Sequence, residues 1–93
     1  MTTVTPPPAD AEVRWLTCRI DKGMFSDELA VTYPSEGTWQ KSVFVPASDV
    51  EGSPGNRGRV RVRIVRRNGH LMAVLPSSTQ DIVTVNEGDV SPL

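Results

Sequence analysis

Ninety-three residues are enough for one modest core and too few for two. With 38% hydrophobic and 23% charged residues the chain is neither fibrous nor low in complexity, and no apolar run reaches the ~18 residues that span a bilayer. The net charge of −1 conceals an asymmetry, because six of the ten basic residues are arginines between Arg57 and Arg67, a stretch that holds no acid.

Charge separation on this scale marks either a face for an anionic partner or a set of internal ion pairs. A single cysteine, Cys18, excludes an internal disulfide and a paired-cysteine zinc site. The first residues lack a basic stretch followed by an apolar one. The expected setting is therefore a reducing cytoplasm, away from any membrane.

Residues 1–11 contain Pro6, Pro7 and Pro8 and almost nothing apolar, and are expected to form a disordered, extended arm. A single β-domain is expected over 12–88, followed by a short tail at 89–93. The first strand is Glu12 to Asp21, with Leu16, Cys18 and Ile20 on one face and Val13, Trp15 and Thr17 on the other. Apolar weight on both faces suits a strand in a small closed barrel. Lys22-Gly23 ends it, Met24 to Asp27 is a loop, and Glu28 to Tyr33 is the second strand.

Turn residues from Pro34 to Gly37 lead to a third strand, Trp39 to Val45, which Pro46 ends. Ser48-Asp49-Val50-Glu51 has capping-box spacing, but Gly52, Ser53, Pro54 and Gly55 leave room for one helical turn at most. Trp39, then Val43-Phe44-Val45-Pro46, a polar turn and Val50 resemble the late strand and short helical turn of SH3 domains. The acidic and aromatic residues of their peptide groove are missing. That resemblance implies a small barrel.

Arg59 to Pro76 is a β-hairpin around Asn68-Gly69, two residues that accept the positive φ of a type I′ turn. A two-residue turn sets the register: Arg67 opposite His70, Arg66 opposite Leu71, Val65 opposite Met72, Ile64 opposite Ala73, Arg63 opposite Val74 and Val62 opposite Leu75. Val60, Val62, Ile64, Leu71, Ala73 and Leu75 then share the core face. Arg59, Arg61, Arg63, Arg67 and His70 share the outer face with Val65, Met72 and Val74. Arg66 has core parity beside the turn, where its stem covers apolar surface and its head reaches water. A last strand is expected over Asp81 to Asn86, and Glu87 onward as the tail.

Six short, regularly punctuated strands indicate an all-β fold, a small antiparallel barrel or sandwich of five to seven strands, SH3-like or OB-like. Its expected core includes Leu16, Ile20, Leu29, Val31, Val43, Val62, Ile64, Ala73 and Leu75.

Catalysis is not expected. The one histidine, His70, belongs to a solvated turn, and Cys18 alternates with apolar neighbours like a small buried hydrophobe. No metal-ligand spacing, phosphate loop or cofactor motif is present. Arg63 and Arg67 resemble the RxxxR pair of cyclic-dinucleotide-binding PilZ domains, but the downstream Asp/Asn, Ser and Gly companions are missing. The remaining constellation is the outer hairpin face, Arg59, Arg61, Arg63, Val65, Arg67, His70 and Met72. Arginines at every second strand position stand ~6.6 Å apart, a spacing that suits phosphates. Aromatics for base stacking are absent from the hairpin. Interspersed Val and Met favour a protein partner or self-association, with single-stranded RNA or DNA, or another polyanion, as the alternative. Cross-strand pairing of these arginines with Asp21, Glu28 or Asp81 would remove the motive for either.

Overall fold

Strand β5 (Arg57–Arg67) is the longest in the computed structural model, which describes residues 12–37 and 39–93. Its Val60, Val62 and Ile64 are β-branched and point inward, while the alternating arginines point outward. The hairpin to β6 (His70–Val74) has the expected register from Arg67↔His70 to Arg63↔Val74. Asn68 (φ 52°) and Gly69 (φ 77°) provide the two left-handed residues of the turn.

The expected Val62–Leu75 pair does not form. The ladder between β5 and β6 ends at Arg63↔Val74, and Leu75 N–H, on the other edge of its strand, donates to the Asp81 carbonyl at 2.8 Å. A local polar knot redirects the chain there. Ser77 Oγ donates to Asp81 Oδ2 at 2.8 Å, Thr79 Oγ1 donates to the same oxygen, and Asp81 N–H donates back to Ser77 Oγ at 3.1 Å. These hydroxyls, with Lys41 as a further contributor, hold the Asp81 carboxyl down at about 2.

Strand β1 (Val13–Lys22) lies along β5 from Val13↔Arg63 to Arg19↔Arg57. Its other edge is shared. Arg19 to Lys22 pair with β2 (Glu28–Tyr33), and Arg14 to Leu16 pair with β8 (Val90–Pro92). β3 (Lys41–Pro46) pairs with β2, the two-residue β4 (Val50–Glu51) with β5, and β7 (Ile82–Thr84) with β6. All pairings are antiparallel, and the order β3-β2-β1-β5-β6-β7 curls into a nearly closed six-stranded barrel. Lys41 Nζ reaches Asp81 Oδ1 at 3.2 Å, joining β3 to the start of β7 across the opening.

Inside lie Leu16, Cys18, Ile20, Val31, Tyr33, Val45, Val60, Val62, Ile64, Leu71, Ala73, Leu75 and Val85. Leu29 and Val43, expected in the core, are half-buried and pack against it. The Tyr33 hydroxyl donates to Asp89 Oδ2 at 2.7 Å and accepts from Asn86 N–H at 3.0 Å, fastening the chain's last segment to β2. Gly58 is needed where β4 crowds β5, since a Cβ there would stand 2.4 Å from the Glu51 carbonyl oxygen.

Several boundaries move. β3 starts at Lys41, leaving Trp39 91% exposed ahead of it, and the last hairpin strand β7 is shorter than Asp81 to Asn86. Ala47–Asp49 is a 3₁₀ turn without a side-chain cap, because Pro46 takes the cap position that Ser48 would need. The tail expected from Glu87 is instead a 3₁₀ turn (Glu87–Asp89) followed by β8, drawn onto β1 by the edge that β2 leaves unpaired. The expected arm at 1–11 lies outside the described residues. No helix among the described residues is long and apolar enough to cross a membrane.

Candidate interaction face

The outer surface of β5 divides into two halves. In the first, Trp15 of β1 lies beside Arg61 in the ladder and is 8% exposed although it faces outward. The guanidinium carbon of Arg59 sits 4.7 Å from the Trp15 ring centre, and that of Arg61 sits 5.5 Å away. Cation–π attraction and the arginine stems together cover the indole. Arg59 also meets Glu51 Oε1 at 2.6 Å through Nη2, and Arg61 reaches Asp49 Oδ1 at 3.9 Å. Arg57 bonds Glu36 Oε2 at 2.9 Å. The turn and β4 therefore deliver carboxylates to this half.

Arg63 and Arg67 form no ion pair among the described residues. Arg63 is half-buried, opposite Val13 on β1 and Val74 on β6. Between the two arginines stands Val65, opposite Met72, both half-buried. Register continues the apolar strip from Val74 to Ile82 on β7, which is 54% exposed. A recess of about 360 Å³ opens beside Arg63, with Val13, Val74 and Pro76 among its walls. His70 is exposed opposite Arg67.

All seven expected face residues thus share one outer surface, but Arg59 and Arg61 are engaged within the molecule. Their partners are Glu51 and Asp49, not Asp21, Glu28 or Asp81. Arg66, on core parity, pairs with Glu12 at 3.5 Å and Glu87 at 3.4 Å at the barrel end.

Cys18 is buried opposite Gly58, and burial pushes its thiol up to about 12. His70 lies opposite Arg67, so nine residues of β5, ~30 Å of strand, separate the two. Among the described residues no three of His, Cys, Asp and Glu gather as metal ligands would.

Sequence reasoning missed one surface feature. Met24 and Phe25 in the β1–β2 loop and Phe44 on β3 are exposed around a recess of about 480 Å³ that Pro46 and Pro76 also line. Its signal was two large apolar residues in a turn, together with Phe44 on the parity opposite Val43 and Val45.

Fold and face define a small, nearly closed antiparallel β-barrel with a half-neutralised arginine strip. No family model, curated protein or solved structure matches the chain.

Proposed function

We propose that this chain is a non-catalytic binding module whose contact surface is the turn-proximal half of the β5–β6–β7 outer face. One observation carries the reading. Arg63 and Arg67 form no ion pair among the described residues and are set in a strip of Val65, Met72, Val74 and Ile82. Arginine and methionine with apolar neighbours are the composition of protein-contact cores. A protein partner is favoured over nucleic acid because the face's aromatic, Trp15, is sealed beneath Arg59 and Arg61 and offers no ring for base stacking.

The test is selection of a displayed random-peptide library on the folded domain, with contacts mapped by amide exchange. Binders should protect β5–β7 and be lost in Met72→Glu with Ile82→Glu. Binders that instead require Phe25 and Phe44 would move the contact surface to the β1–β3 recess and overturn the reading. Tight single-stranded RNA or DNA binding that falls steeply with salt, and disappears in Arg63→Ala with Arg67→Ala, would replace protein by nucleic acid.

A further inference from the structure

Along the outer side of β5 the row Arg63, Val65, Arg67 reads cation, apolar, cation at every second residue. The two arginines are therefore ~13 Å apart along the strand, with the apolar residue midway. An extended chain laid along this face has the same two-residue period. Its complement is a carboxylate at position i, an apolar side chain at i+2 and a second carboxylate at i+4.

We infer that the face takes an extended acidic segment of a different protein, with carboxylates four residues apart meeting Arg63 and Arg67 and an apolar side chain between them on Val65 and Met72. This rests on the proposed contact surface and adds the partner's chemistry. Charge complementarity is the argument. Among the described residues these two positions of the row carry no ion pair, whereas Arg61 toward one end already faces Asp49 and Arg59 faces Glu51. An acid at i−2 of the ligand, or further out on that side, would meet those carboxylates and gain nothing. Arginine is suited to such capture by its planar, two-pronged donor geometry.

A second copy of this chain does not fit. None of its eleven carboxylates lies four residues from another, so no strand of it presents the complementary row. Two copies meeting through this face would also set Arg63 and Arg67 against arginines. The occupant is a separate, acidic chain.

The displayed-library selection reads this directly. Among binders mapped to β5–β7, acids should be enriched at a spacing of four with an apolar residue midway. The double exchange Arg63→Glu with Arg67→Glu, whose side chains point outward, should weaken a selected acidic peptide about tenfold. The same variant should bind the peptide's counterpart carrying lysines at those two positions. Arg63→Gln with Arg67→Gln, checked for its fold by circular dichroism, should give a smaller loss without the lysine preference. Binders on this face with no fixed acid spacing, or indifferent to the exchange, would overturn the inference and leave the contact surface standing. Absence of any binder on this face would overturn both.

Discussion

The two halves of β5 carry the same residue to different fates. Near Gly58 the arginines serve the fold, lying across Trp15 and reaching Glu51 and Asp49. Near Asn68, Arg63 and Arg67 stand on an apolar strip of the outer face and form no ion pair among the described residues. Strand periodicity is identical in both. What differs is the neighbour, since β4 and its 3₁₀ turn pack beside the first half only, and β6 beside the second. An arginine's role on a sheet is therefore set by which strand passes next to it.

The largest expected effect is on the structural half. Trp15→Ala should cost ~3–5 kcal/mol, as loss of a buried aromatic does, read as a fall in the urea midpoint. A loss below ~1 kcal/mol would mean that the indole is not a packing element. Next comes Gly58→Ala, whose Cβ would meet the Glu51 carbonyl and stand 2.8 Å from Ile20 Cγ1. Overpacking there should cost ~1–3 kcal/mol, and a thermal midpoint equal to the parent's would contradict the tight β4–β5 approach. Arg59→Ala should cost ~0.5–1 kcal/mol by removing stacking on Trp15. A double-mutant cycle with Trp15→Leu should show that most of this loss is coupled to the ring. Smallest is Arg63→Ala, which should stay within ~0.5 kcal/mol of the parent. A clearly larger destabilisation would place Arg63 with the structural arginines and erase the comparison.

How much of this was legible depended on how local the determinant was. The hairpin register followed from Asn68-Gly69, because a two-residue turn leaves the strands no other alignment. Core parity from Leu16 to Ile20 and from Val60 to Ile64 followed from alternation. The fate of Arg59 and Arg61 was not legible, because it depends on Trp15, Asp49 and Glu51 arriving from other strands. Val90-Ser91-Pro92 is too short to show a period, so the sequence alone suggests a tail where β8 forms. Its place comes from a vacant edge on β1, which only the assembled sheet reveals. Leu75 lies in the core as its parity implies, but its pairing with Val62 does not form, since the ladder ends one residue earlier, ahead of Pro76.

The arrangement of β1 also governs the order in which the barrel can assemble. Hairpin β5–β6 closes over two residues and belongs to a class of event that takes ~1–10 μs. By contrast Leu16 meets Val90, and the Tyr33 hydroxyl meets Asn86 and Asp89, contacts between residues more than fifty apart in the sequence. Closing such long loops places the domain among slow, high-contact-order folders, on the scale of milliseconds to seconds. Because β8 pairs only with the β1 edge that β2 leaves free, it is expected to dock late. In pulsed hydrogen exchange the amides joining β8 to β1 should gain protection after those of the hairpin, and simultaneous protection would show the barrel forming as one nucleus.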